Sequence, residues 1–163
     1  MIEMTVAGIA IDGGTRNPVI LLRDASQRRQ LPIFISAEQS RTIRSVLEGE
    51  KTARPMTHDL IVNLMSAWEV DVQRVVIHSL RDSTFYAVMT VGRGKEKKEI
   101  DARPSDAIAV ALRVDAPIWV MEEVILDAAM PVDQAADAAE SKAFRAFVSD
   151  ISPADFAERG RSV

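Results

Sequence analysis

Lys98–Arg113, KEIDARPSDAIAVALR, is the stretch whose reading decides the fold. It runs from a strand end through an Arg-Pro corner into a short helix, where Ile108, Ala109, Val110, Ala111 and Leu112 follow in unbroken succession. A helix apolar nearly all round belongs inside a protein, and its alanines let a sheet come close. The corner has an echo upstream. Ala53-Arg54-Pro55 leads into Thr57-His58-Asp59-Leu60, as Ala102-Arg103-Pro104 leads into Ser105-Asp106-Ala107-Ile108. Because the residue before proline avoids the helical region, each corner enters its helix from an extended backbone.

Upstream, residues 2–11, Pro18–Arg23 and Leu31–Ile35 read as three short strands of a meander, the first ending at the Asp12-Gly13-Gly14 turn signal. Pro32 has no amide hydrogen for a ladder, which puts it at an edge or a bulge. Ser36-Ala-Glu-Gln predicts a capping box with Gln39 at the third helical position, and Gly49 stops that helix. Thr57 is the predicted cap of the next helix. Its apolar residues Leu60, Ile61, Leu64, Met65 and Trp68 predict a core-facing stripe. Val70–Leu80 and Thr84–Gly92 predict an antiparallel hairpin, with Lys97–Ala102 returning beside it. Beyond the decisive helix come a short strand at Pro117–Val120 and a short helix at Glu122–Ala128. Residues 130–140 are acid and alanine, read as a linker. Phe144, Phe147, Val148 and Ile151 then give an apolar stripe at helical spacing within 141–163. The expected architecture is α+β: one domain over residues 1–129, with a mixed, largely antiparallel sheet packed by helices, and an appended C-terminal helix.

Composition bounds the function. The 163 residues are 47% hydrophobic and 27% charged, enough for a core and an ordinary soluble surface. A net charge of −4 argues against a dedicated sequence-independent duplex binder, which needs a basic face to release phosphate counterions. No cysteine is present, which excludes disulfides, zinc-thiolate sites and thiol nucleophiles. No signal peptide or apolar run of spanning length is visible, so the expected location is cytoplasmic, away from membranes. Gly92-Arg93-Gly94 lacks the rest of a phosphate-binding loop and reads as hairpin punctuation.

Chemistry concentrates at the two corners. His78 alternates with Val76 and Leu80 and reads as a partly buried or cross-strand histidine. His58 differs, because it lies in a first helical turn beside Asp59, where free amides and the helix dipole favour an anion. That anion is either the aspartate itself or a substrate phosphate, and the same alternatives hold for Asp106. Arg54 and Arg103 either tie each corner to its aspartate or clamp a phosphate.

RPMTHDL (Arg54–Leu60), TFYA (Thr84–Ala87) and ARPSDAIAVALR (Ala102–Arg113) closely resemble the bifunctional nuclease family, with LPIFI and PIWVMEEVI in the same order. The resemblance covers about residues 2–126. It implies an α+β, homo-oligomeric protein, with a dimer favoured, in a family named for nuclease activity on RNA and DNA. Carried over by position, the characteristic polar residues are Arg54, Thr57, His58, Asp59, Arg103, Ser105, Asp106 and Glu122. One departure stands out. Where the pattern has Gly-x-x-Glu-Ala, this chain has Ser36 to Ser40, so the carboxylate becomes the amide of Gln39. Glu38 lies about 100° around the helix.

The doubled corner and the resemblance together suggest a phosphodiester hydrolase. Asp59 and Asp106 would orient water or hold a divalent metal such as Mg2+, with Glu122 a third candidate ligand. His58 would move protons, while Arg54, Arg103, Thr57 and Ser105 would hold phosphate. The alternative is a non-enzymatic binding or assembly domain whose polar cluster is structural. The two corners form one site only if they meet in space.

Overall fold

Val75, Val76 and Ile77 are consecutive and all buried, so the strand that carries them is covered on both faces. The computed structural model, in which residues 1–50 and 52–132 are described, places that strand well inside an eight-stranded sheet. The elements are β1 (Ile2–Ile11), β2 (Pro18–Asp24), β3 (Arg29–Phe34), α1 (Ala37–Leu47), α2 (Thr57–Ala67), β4 (Asp71–Arg81), β5 (Thr84–Arg93), β6 (Glu96–Ala102), α3 (Pro104–Val114), β7 (Ile118–Val120), α4 (Glu122–Ala128) and β8 (Met130–Pro131). The sheet order is β6-β5-β4-β7-β1-β2-β3-β8, antiparallel except for the parallel pair β4 and β7. This is the expected α+β architecture. The predicted helix within 141–163 and the linker beyond Val132 lie outside the described residues. Met130 and Pro131 pair with Gln30 and Arg29. Among the described residues no helix is long and apolar enough to cross a membrane.

The three-residue strand β7 joins the two halves of the sheet. On one side it pairs with Ile2, Glu3 and Met4 of β1, and on the other with Val75, Val76 and Ile77 of β4. The sheet is also strongly curled. In a flat sheet β4 and β3 would stand about 19 Å apart, four strand spacings. Yet α4, about 10 Å long, packs on both. The curl stops short of a closed barrel, with the charged β6 and the short β8 left at its edges.

Helix α3 fills the concavity. Pro104, Ser105 and Ala107 to Ala111 are all buried, and α1 and α2 both pack against it. Burying Ile108 alone contributes about 1.5–3 kcal/mol. Arg103 enters the helix extended, at φ −66° and ψ 141°, as its place before proline requires. The predicted capping box of α1 is present. Ser36 Oγ accepts from the Gln39 amide at 3.2 Å, and Gln39 Oε1 accepts from the Ser36 amide at 2.8 Å. Gly49 follows at φ 66°, a left-handed position that suits glycine at the end of a helix. Pro32 pairs with Leu21 on a stretch of β3 that has no strand on its far side among the described residues.

Two expectations need correction at α2. The residue before the helix is Met56 rather than Thr57, and its amide donates to Asp59 Oδ2 at 2.8 Å, so an acid in the first turn replaces the hydroxyl cap. The predicted core-facing stripe divides in two. Ile61 and Met65, with Val62, face the core, whereas Leu60, Leu64 and Trp68 are exposed at 53%, 54% and 68%. The division follows from the helix, since Leu60 and Ile61 stand about 100° apart and α3 is narrow enough to cover only one of the two rows.

Candidate functional site

Both helix starts bring an aspartate to the third helical position, and α2 packs beside α3. The corners therefore meet, and they exchange partners. His58 Nε2, from α2, stands 3.2 Å from Asp106 Oδ1 of α3, with the histidine side chain 14% exposed. In return Arg113, from the last turn of α3, donates from Nε to Asp59 Oδ1 at 2.6 Å. Arg113 is buried along its length and also donates from Nη1 to the Ala109 carbonyl at 2.8 Å. Its guanidinium is the main reason the Asp59 carboxyl titrates below the usual range, and the Met56 amide adds to the effect.

Arg103 closes the second corner, donating from Nε to Asp106 Oδ2 at 2.6 Å. The carboxylate in turn holds the guanidinium above its ordinary pKa. Only Nε of Arg103 is engaged among the described residues, so its exposed terminal amino groups remain available. A carboxylate only accepts, so Asp106 selects the imidazole tautomer that carries its proton on Nε2. Nδ1 of His58 has no hydrogen-bond partner among the described residues. The arrangement is an oriented imidazole beside an available guanidinium, suited to proton transfer at an anionic centre.

Not every residue singled out by sequence joins this cluster. The Arg54 carbonyl accepts from Thr52 Oγ1 at 2.7 Å, but the exposed side chains of Arg54 and Thr57 make no hydrogen bond or ion pair among the described residues. Ser105 Oγ accepts from Gln39 Nε2 at 2.7 Å, so the amide at the departing position ties α1 to the start of α3. Glu122 begins α4 and pairs with the Met1 amino group at 3.0 Å, apart from the cluster. Among the described residues no three Asp, Glu or His groups converge as a metal site. Each oxygen of Asp59 and of Asp106 already has one partner within the chain.

Sequence reasoning missed Arg113. One signal was present: a cation in the last turn of an otherwise apolar helix must find an acceptor. A cleft of about 230 Å3 opens beside the cluster. It is lined by the end of β3, the turn between β4 and β5, Gln39, and the start of α3. The curl of the sheet brings these segments together.

The sequence model of the bifunctional nuclease domain matches residues 20–133. The chain belongs to the bifunctional nuclease domain family. The matched span holds every residue of the cluster, from Gln39 to Arg113. An uncharacterised protein of Mycobacterium tuberculosis is 36% identical over 162 residues, covering 94% of this chain and 97% of its own length. A protein of Oryza sativa subsp. indica named bifunctional nuclease 1 is 22% identical over 126 residues, covering 76% of this chain and 38% of its own. The protein of Oryza minuta named bifunctional nuclease matches to the same extent.

Proposed function

We propose that the protein is a nuclease that hydrolyses phosphodiester bonds in RNA and DNA. The observation that carries the reading is the contact of His58 with Asp106, with Arg103 on the same carboxylate. Membership of the bifunctional nuclease domain family supports it. In this reading Asp106 holds the imidazole, and Nδ1 of His58 takes the proton from an attacking water, or from the 2′-hydroxyl in RNA. The attacking oxygen forms its bond to phosphorus as the bond to the leaving oxygen breaks. The imidazolium then returns the proton to that leaving oxygen. Arg103 balances the charge developing on the phosphoryl oxygens. Asp59 and Arg113 act at one remove, locking α2 against α3 so that His58 stays in place.

The test is cleavage of labelled single-stranded RNA and DNA by the purified protein, alongside His58→Ala and Asp106→Asn. Each substitution is expected to lower kcat/KM by about 100-fold or more. Cleavage that survives both substitutions would sink the assignment. Running the assay with Mg2+ and again with a chelator measures metal assistance directly. Activity lost in chelator and restored by Mg2+ would show that a metal takes part, and activity retained in chelator would show that it does not.

A second reading, an assembly domain that forms homodimers, is favoured by one feature. Met56, Leu60, Leu64 and Trp68 recur every four residues on the outer side of α2, and all four are exposed. Such a row is a ridge of the kind helices interlock when they pack. Light scattering across a concentration series checks it, and a monomeric mass throughout would exclude it.

A further inference from the structure

We propose that the cleft beside the cluster is a subsite for one unpaired nucleobase, which makes single-stranded nucleic acid the preferred substrate; the inference rests on the nuclease reading above. The cleft, at about 230 Å3, is smaller than the roughly 300–1,000 Å3 of pockets that take whole drug-sized ligands. It suits a single planar ring system. Its walls include two aromatic rings, Phe34 at the end of β3 and Phe85 at the start of β5. Phe34 is 58% exposed although its neighbours Ile33 and Ile35 are buried. An exposed aromatic face at the mouth of a cleft is the platform on which a base stacks.

Most of the polar groups in the cleft are already committed to partners within the chain. Both ends of the Gln39 amide are used, the oxygen on the Ser36 amide and the nitrogen on Ser105. Thr84 Oγ1 already leans on the Asp82 carbonyl at 3.4 Å. Recognition therefore falls chiefly to stacking, which every base permits, with the Arg103 guanidinium directed to the phosphate.

Arg103 joins the cleft to the chemistry. It lines the cleft and also holds Asp106, the partner of His58. A base stacked on Phe34 thus brings its own phosphate to the guanidinium and within the domain of the imidazole. A duplex cannot use this route, because each of its bases already stacks on two neighbours.

The experiment measures fluorescence anisotropy of a labelled ten-nucleotide single strand, and of the same strand in a duplex, with His58→Ala protein in chelator so that nothing is cut. Single strands are expected to bind at least 10-fold more tightly than the duplex. Adding Phe34→Ala should weaken the single strand by roughly 10-fold or more and leave the duplex unchanged. In the active protein Phe34→Ala should raise KM with kcat preserved. Since Phe34 lies outside the core, circular dichroism should show the variant folded. Equal affinity for the two substrates, or a Phe34→Ala protein that binds like its parent, overturns the subsite. If cleavage still depends on His58 in that case, the nuclease reading survives alone. If binding depends on Phe34 but nothing is cleaved, the subsite stands and the nuclease reading falls.

Discussion

Asp59 shows how one side chain serves both the fold and the candidate site. Its Oδ2 takes the Met56 amide and its Oδ1 takes Arg113, whose side chain is only 8% exposed. Asp59→Asn would leave that guanidinium buried without a counter-charge. A fully buried pair broken on one side costs about 3–5 kcal/mol. Asp59 itself is 32% exposed, so a loss of about 1–3 kcal/mol is expected, read as a lowered denaturation midpoint. The sign with pH follows from the lowered carboxyl pKa. The stabilisation is present above the ordinary carboxylate pKa near 4 and drains away as pH falls through the folded value. Asp24 behaves alike, held low chiefly by the Ser26 hydroxyl. Wild-type protein should therefore lose thermal stability as pH falls below about 5, and Asp59→Asn should show a shallower loss over the same window. Equal slopes would refute the assignment. Both aspartates at the corners were legible in the sequence, because Arg-Pro and a first-turn acid are local signals. Arg113 was not, because its partner lies 54 residues away and only the packing of α2 on α3 joins them.

At the scale of elements, α3 was readable from composition alone, since a helix with no polar face has nowhere to go but inside. The orientation of α2 was not readable. Apolar residues on two adjacent rows satisfy the same periodicity, and only the neighbour decides which row is buried. The neighbour is α3, and it takes Ile61 and Met65 while leaving Leu60, Leu64 and Trp68 outside. Leu64→Glu tests what the outer row does. If that row pairs two copies, the variant should be monomeric by light scattering at concentrations where the parent is a dimer. Its thermal midpoint, measured where both are monomeric, should be unchanged, because Leu64 does not enter the core. A dimer that persists in the variant would release α2 from that role. The hairpin of β4 and β5 was also legible, although its turn was set one residue wide. Asp82 and Ser83 alone make it, at φ 48° and 58°, left-handed values that match the twist of the flanking strands.

For the whole molecule, order in sequence and order in space part company at β7, whose neighbours β4 and β1 come from opposite parts of the chain. No local pattern announces that exchange, and three residues are too few to show a period. They nonetheless have a consequence for cooperativity. With β7 removed, β1 to β3 and β4 to β6 would each remain a three-stranded ribbon, and their ladders would share nothing. Helices α1, α3 and α4 also pack across the two halves, so the question is how much of their coupling the short rib carries. Trp119 sits on that rib and reports on it directly. In a Trp68→Phe background, which leaves Trp119 as the sole tryptophan, fluorescence and far-ultraviolet circular dichroism should give one denaturant midpoint. Val120→Ala, which hollows a fully buried position, should split them, with fluorescence changing first. Coincident midpoints in the variant would mean that the core, rather than the rib, binds the halves together. The same splitting would make His58 and Asp106 safe from it, since both belong to helices on α3's side, and leave the Phe34 wall of the cleft as the part that drifts away.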